Sequence, residues 1–496
     1  MADDPTPCAA APTFAALGED YAARVAPTPL PQPRFVHVNR ALADELGIDT
    51  EAPWFLPAMA GNAPYPGHAP LSSVYAGHQF GVFVPQLGDG RAHLIASLPG
   101  GSAGRPPQEL QLKGSGPTPW SRFADGRAVL RSSIREYLCS EAMHALGIPT
   151  TRALALVVST QPVRRETIEP AAVVCRVAPS FVRFGHFEYF YYAGQHQRLA
   201  PLADHLIATQ FPQYAGLDAP QRYRAWLAEL VEATARLLAQ WQVVGFCHGV
   251  MNTDNFSALG LTLDYGPFGF LDAFAADHVC NHSDDEGRYA YQRQPTIGQW
   301  NCSRLLQAAL PLIDADPKAA VDIANGLLDA YAEVYAADVK RRWADKLGLR
   351  ELRDGDATLI NRYLTILDRS RADFTRSFRK LAALRSDTDA AADGIRDEIA
   401  DLAAFDAWVA DYRARLRSEH SDDAERAVRM NRVNPLYVLR NHLAQRAIER
   451  AEAGDDSEVA RLHALLQRPF DEQPDGAAYA AEPPPEARHI SVSCSS

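Results

Sequence analysis

Cysteine is scarce in this chain. Seven occur in 496 residues, at positions 8, 139, 175, 247, 280, 302 and 494, and none forms a CxxC pair. An odd, scattered set supports neither a disulfide framework nor a structural zinc site. Most are expected to be small buried apolar residues. Long apolar runs are also missing. The densest, Ala153 to Val158, is six residues long, far short of the roughly 18 that a membrane span needs, so no membrane partner is expected. The first residues, Met1-Ala2-Asp3-Asp4-Pro5, show neither the basic start nor the apolar stretch of a secretory signal, and a cytoplasmic location is expected. Basic charge is in deficit. With 49 Lys and Arg against 61 Asp and Glu the formal charge is -12. That balance argues against a general nucleic-acid binder, whose affinity comes from neutralising phosphates.

What is present fits a globular chain: 47% apolar and 22% charged residues, close to the average for folded domains. The length allows two or three domain-sized units. Residues 1-70 are rich in Pro and Ala and read as an extended arm lying against a larger body. Across 71-200, Val82-Phe83-Val84, His93 to Ala96, Glu109 to Lys113 and Ala153 to Ser159 alternate or run like strands. Between them, Arg127 to Leu146 carries Leu130, Ile134, Leu138 and Met143 at helical spacing. Strands, a helix and a strand suit a small nucleotide-binding lobe. Residues 201-475 turn helical, with apolar faces at Leu227, Leu230, Leu237 and Trp241 and again at Ile323, Leu327, Tyr331 and Val334. Asn434-Pro435 is expected to open a further helix, with an N-cap and Pro at its first position. Residues 476-496 read as a tail. The class is α+β, and four features arranged in kinase order point to a protein-kinase-like, two-lobed architecture.

The first feature is a glycine-bearing hairpin, Gly77 to Gly81 through Gly88-Asp89-Gly90-Arg91, where missing side chains let backbone approach phosphates. The second is Lys113 at a strand end, followed by Glu136 on the helix. A buried ammonium that grips phosphates needs a carboxylate to position it; Glu109 and Glu141 are rival partners. The third is His248-Gly249-Val250-Met251-Asn252-Thr253-Asp254-Asn255, which matches the kinase pattern H-R-D-x-x-x-x-N except that Val250 replaces the catalytic Asp. Asp254 is the substitute, and Asn255 matches the metal-binding Asn. The fourth is Leu261 to Gly266, an apolar strand running into Asp264-Tyr265-Gly266, the counterpart of D-F-G. Asp272 competes with Asp264 for that role. Arg176 and Arg183 sit among apolar and aromatic residues, where a guanidinium needs an anion: a carboxylate, or a phosphate.

The stretches Tyr75 to Gly81, Glu109 to Arg122, Asp125-Gly126-Arg127, His248 to Asn255, Asp264 to Gly269, Cys280 to Asp284, Asn434 to His442 and Ser493 to Ser496 resemble the selenoprotein O family, called YdiU in bacteria. The resemblance spans nearly the whole chain. It implies a kinase-like fold that binds ATP in flipped orientation and transfers AMP to Ser, Thr or Tyr of proteins, with UTP used by some bacterial relatives. Carried onto this sequence, Lys113, Arg176 and Arg183 would hold phosphates, with Glu136 positioning Lys113. Gly88, Gly90, Arg91, Asp125 and Gly126 would complete the nucleotide pocket. Asn255 and Asp264 would bind Mg2+ or Mn2+, and Asp254 would be the base. Cys494 stands where animal members carry selenocysteine, and a reversible disulfide with Cys280 would follow. An ordinary kinase using Asp254 and a nucleotide-binding scaffold are the rival readings. Val250 speaks against the first, and retention of Lys113, Glu136, Asn255 and Asp264 together against the second.

Overall fold

Alternating apolar residues in the first third of the chain become one antiparallel sheet. The computed structural model describes residues 13–100, 106–388 and 393–493. Strands β1 (Ala22–Arg24) and β2 (Arg34–Val38) come first, then two short helices, α1 (Arg40–Leu46) and α2 (Phe55–Met59). β3 (Leu71–Ser73) precedes a hairpin of β4 (Gly77–Gln79) and β5 (Val82–Val84), which leads to β6 (Ala92–Leu98) and β7 (Gln108–Lys113). The two-residue β8 (Ala128–Val129) runs straight into helix α3 (Leu130–Ala145), and the long pair β9 (Arg152–Arg164) and β10 (Ile168–Ala178) completes the region. The sheet order is β1-β3-β6-β7-β10-β9-β2, with β8 on β10 beyond the end of β7.

Residues 13–70 thus contribute both outermost strands of this sheet. Their pairing explains why so little pattern was visible there: three- and five-residue strands carry too few alternations to register alone.

Both faces of the sheet are covered. Ala153, Leu156, Val158, Ala172 and Val174 pack with α3 and the helices behind it. Their neighbours Leu154, Val157, Val173, Cys175 and Val177 pack with α1 and α2. Successive strand residues point to opposite faces, so a doubly covered strand reads as a continuous apolar run. That is the origin of Ala153 to Val158.

The rest is helical: α4 (Phe184–Tyr192), α5 (Leu199–Gln210), α6 (Ala219–Val244), a small ribbon of β11 (Phe246–Cys247) with β12 (Gly269–Phe270), then α7 (Gln294–Ile313) and α8 (Pro317–Lys346). Helix α6 is well defined by its ends. Asp218 accepts from the Gln221 amide, Pro220 stands in the first turn, and Gly245 closes the helix at φ 78°. It packs on α7 and α8. Eight further helices follow: α9 (Asp356–Ser370), α10 (Phe374–Leu381), α11 (Asp393–Arg396), α12 (Leu402–Ser418), α13 (Asp423–Val433), α14 (Asn441–Glu452), α15 (Ser457–Leu466) and α16 (Ala477–Ala480). α14 and α15 return to pack on α3. None of the described helices is long and apolar enough to cross a membrane.

Three local expectations are corrected. Asn434-Pro435 opens no helix. Asn434 closes α13, and its side-chain amide donates to the Lys346 carbonyl at 2.9 Å. The amides of Leu436 and Tyr437 both donate to the Pro469 carbonyl, and buried Arg440 is held by Asp272 and Asp373. These tertiary contacts keep 435–440 non-helical until α14 begins. Leu261 to Leu263 forms no strand either; Thr262 makes only isolated bridges, to Thr150 and Phe256. Finally, the glycines of Gly77 to Gly90 belong to two turns. β4–β5 closes on Phe80 and Gly81, both at positive φ, whereas Gly88 to Gly90 forms a separate turn into β6.

Candidate functional site

β7 and β8 lie along one edge of β10, and the chain between them leaves the sheet as a loop. Its neck is built on glycine: the Gly116 amide donates to the Gly126 carbonyl at 3.0 Å, and Ser115 bridges Arg127. Gly126 has φ 69°, and a Cβ there would lie 2.2 Å from the Gly116 carbonyl carbon. The loop beyond this neck, Trp120 to Arg127, forms one wall of a cleft of 840 Å³. Gly88, Gly90 and Arg91 line the same cleft from the turn before β6, and the 248–267 segment lines it from the helical side.

Every residue expected to touch nucleotide or metal lies on this cleft: Gly88, Gly90, Arg91, Lys113, Asp125, Gly126, Arg176, Arg183, Asp254, Asn255 and Asp264. Glu136 sits just behind it. Its carboxylate meets the Lys113 ammonium at 2.6 Å and Arg176 at 3.2 Å. The rivals are engaged elsewhere, Glu141 with Arg152 and Asn39, and Glu109 with the Phe181 amide. Asp272 pairs with Arg440 away from the cleft, which leaves Asp264 as the aspartate facing it.

Asp264 is the electrostatic centre. Lys113 approaches its Oδ1 at 3.2 Å, Arg176 bonds the same oxygen and Arg183 bonds Oδ2. Burial alone would raise this carboxyl, but Arg183, Lys113 and Arg176 outweigh it and hold it well below the usual range. In turn, burial opposes the charge on Arg183 and Arg176, and Asp264 overcomes it and raises both. The carboxylate reading of the two arginines is met, and their Nε atoms remain buried and without partners. Three cations share two carboxylates here, Glu136 and Asp264, so the cluster retains one positive charge and spare donors.

Asp254 faces the opposite balance. Burial pushes its carboxyl up to about 7, with Arg183 pulling the other way. Gln79 reaches Oδ2 at 3.4 Å, and Oδ1 is buried with no partner. Gly77 is required beneath it, since a Cβ at that position would sit 2.5 Å from Oδ1. Arg183 Nη1 donates to the Asp254 main-chain carbonyl at 2.8 Å, tying this carboxyl to the cationic cluster. Asn255 uses its side-chain amide to donate to the Val250 carbonyl at 3.0 Å, which leaves its Oδ1 as an oxygen donor. His248 is buried under Trp241, and burial lowers it to about 4, so it is neutral.

Asp125 is held by both Arg165 nitrogens, at 2.7 and 2.9 Å. Cys280 lies off the cleft, behind Gly249, where its thiol donates to the Cys247 carbonyl at 3.3 Å and burial pushes it well up. The His282 amide donates to the Val492 carbonyl at 2.9 Å, so the chain returns beside this segment two residues before Cys494. Cys494 and Cys8 lie outside the described residues. Of the other five cysteines all are free, and Cys139, Cys175, Cys247 and Cys302 are buried.

Sequence reading did not single out Tyr75, Trp120 or Phe123, although all three line the cleft. Tyr75 stacks under Arg183 at 5.1 Å. No spacing rule marks such residues; the signal was that Tyr75 and Trp120 lie within stretches that carry the family resemblance, and Phe123 just beyond one.

Among the described residues no three His, Cys, Asp or Glu side chains converge as a metal cage. One ionised carboxylate and one amide oxygen instead fit the way Mg2+ is usually held, by a few protein oxygens completed by phosphates and water. A cleft with excess cationic donors, one aspartate held low by its cations and a second raised by burial has the chemistry to take a polyphosphate and to accept a proton. The comparisons narrow that class. The chain belongs to the family described as protein adenylyltransferase SelO, whose model matches residues 7–468. It is 64% identical to a protein nucleotidyltransferase YdiU of Methylococcus capsulatus, over 98% of this chain and 96% of the relative. A protein of the same name in Burkholderia thailandensis is 56% identical over 97% and 95%.

Proposed function

We propose that this protein transfers AMP from ATP to hydroxyl side chains of proteins, releasing pyrophosphate, within a kinase-like two-lobed fold. The sheet-rich 71-200 region and the helical 201-475 region would be its lobes, with residues 1-70 as an extension and 476-496 as the tail. The observation that carries the reading is Asp254: a buried carboxyl near neutral pKa, with one empty oxygen, beside a cluster of three cations. A general base works best with its pKa near the working pH, and Val250 leaves the usual kinase position without one.

Lys113, Arg176 and Arg183 bind the phosphates, turning their unfilled donors from Asp264 toward the incoming oxygens. Glu136 keeps Lys113 charged and in place. Gly88, Gly90, Arg91, Asp125 and Gly126 shape the pocket around the rest of the nucleotide. The acceptor oxygen attacks the α-phosphorus, its proton passes to Asp254 Oδ1, and the bond from the α-phosphorus to pyrophosphate breaks. Arg176 and Arg183 stabilise the charge that develops on pyrophosphate, the principal electrostatic task of such transfers. Mg2+ or Mn2+, held by Asn255 and Asp264, would neutralise phosphate charge when bound. Cys280 is proposed as the partner of Cys494 in a reversible disulfide, supported by the return of the chain at Val492.

The test uses ATP labelled at the α or the γ phosphorus, with a protein acceptor and Mg2+ or Mn2+. Label retained from the α position alone, and lost in Asp264→Ala, is the expected result. Label from γ alone would make the protein a kinase.

A further inference from the structure

The hairpin β4–β5 stands apart from the main sheet and pairs only within itself. One edge is occupied. The His78 amide donates to Thr253 Oγ1 at 2.7 Å, and the Phe80 amide to Asn252 Oδ1 at 3.1 Å, so β4 lies on the segment that carries Asp254. Beyond this edge the hairpin is apolar and open. Val82 is 69% exposed, Phe80 39% and Tyr192, at the end of α4, 38%. Phe83 and Tyr192 meet at a tilt with ring centres 4.3 Å apart, and Trp300 of α7 meets His78 at 5.3 Å. Large exposed apolar side chains gathered in one place mark interaction surfaces more often than scattered ones do.

Two arginines complete the patch. Arg288 and Arg304 lie over Trp300, at 4.9 and 5.3 Å. Arg304 also bonds Ser303 and Tyr192, and Arg288 bonds Tyr289. Among the described residues neither has a carboxylate partner. Asp284, four residues before Arg288, is used by the backbone amides of Arg288 and Tyr289. A guanidinium lying on an indole is held in orientation, and its fork matches a carboxylate; Arg304 turns its Nε and Nη2 to the neutral Ser303 hydroxyl, which an incoming carboxylate would displace. In a chain of net charge -12, these are two pre-oriented arginines beside an apolar hairpin with no ion-pair carboxylate among the described residues, although exposed Asp285 and Glu286 lie close to Arg288 in the chain.

We propose that this rim, formed by β4–β5, Tyr192, Arg288, Trp300 and Arg304, docks the acceptor protein, and that it takes an extended segment with an acidic residue flanking the hydroxyl. The inference rests on the transfer reading above. Gln79 and Phe80 belong to both the rim and the cleft beside Asp254, so a segment that follows the hairpin and passes its turn at Phe80 enters the cleft on the side of the base. Backbone pairing to an unused strand edge supplies affinity without sequence preference, and side-chain contacts supply the preference. Here the arginines select for acid, while Val82, Phe83 and Tyr192 take an apolar residue.

The experiment compares two synthetic peptides as acceptors of α-label. One carries a single serine flanked by glutamate and leucine, and the other has lysine in place of each glutamate. The unaltered protein is expected to show a KM about tenfold or more lower for the glutamate peptide. The double variant Arg288→Glu, Arg304→Glu should invert that preference with KM for ATP unchanged, and Arg288→Lys, Arg304→Lys should retain most of it. Equal KM for both peptides, or a reversal variant that keeps the acidic preference, overturns the docking surface while leaving AMP transfer standing. Absence of α-label on every peptide and protein tried overturns both.

Discussion

Two aspartates ten residues apart carry opposite electrostatics, and the proposed division of labour rests on that contrast. Asp264 is ringed by cations and stays ionised, as a phosphate- or metal-facing group must. Asp254 is desolvated, with its nearest guanidinium turned to its carbonyl and to Asp264, and so can take a proton. Asp254→Asn should lower kcat by roughly 10²- to 10⁴-fold, the usual range for a general base, with KM for ATP nearly unchanged. Steady-state kinetics with α-labelled ATP checks this, and an equal rise in KM would mean the residue binds nucleotide instead. Both aspartates were legible in the sequence because a motif order surrounds them. Their different environments were not, since Gly77 and Arg183 come from distant stretches of chain.

At the scale of elements, the neck of the 114–127 loop decides whether the cleft has its second wall. Gly126→Ala places a methyl group where the Gly116 carbonyl carbon already lies, in a backbone region that disfavours a side chain. The loop must open, so nucleotide affinity should fall about tenfold or more while the sheet persists. Gly147→Ala is the control. Its φ of 75° is similar, but a Cβ there meets nothing within 4 Å, so it should cost about 1 kcal/mol and leave affinity intact. Calorimetric titration with a non-hydrolysable ATP analogue distinguishes the two. Elements whose pattern is local were readable: β7 ending at Lys113, α3 carrying Glu136, and α6. Elements decided by distant partners were not, such as β1 and β2, which exist by pairing with β3 and β9, and the stretch after Asn434, straightened by Pro469 and Arg440.

For the whole molecule, the buried titratable groups make opposing demands. His37, His93 and His248 are lowered to about 4 and His186 to about 3, chiefly by burial. Each is neutral when folded and takes a proton near pH 6.5 when unfolded, so between 6.5 and 4 the unfolded state binds more protons. Acidification through that window therefore costs stability, at about 1.4 kcal/mol per pH unit for each fully buried histidine. Asp254 titrates the other way: raised by burial to about 7, it holds a proton when folded that the unfolded chain has released above about pH 4, and burial moves Asp89 in the same direction. With His144, His205, His278, His442 and His463 also lowered, and Asp345 and Glu452 also raised, nine histidines stand against four acids; the net is a loss on acidification, so urea midpoints should fall from pH 6.5 toward 4. Asp254→Asn removes one of the opposing groups. At pH 8 it also removes a buried charge that Arg183 and Gln79 offset only in part, and the variant should be more stable than the unaltered protein, by on the order of 2–4 kcal/mol. Between pH 6.5 and 4 its stability should then fall more steeply. A variant that is inactive, more stable at pH 8 and more acid-sensitive would show that the cost of keeping Asp254 ionised is borne for catalysis. An inactive variant that is less stable at pH 8 would place the residue in the framework of the 252–255 turn instead.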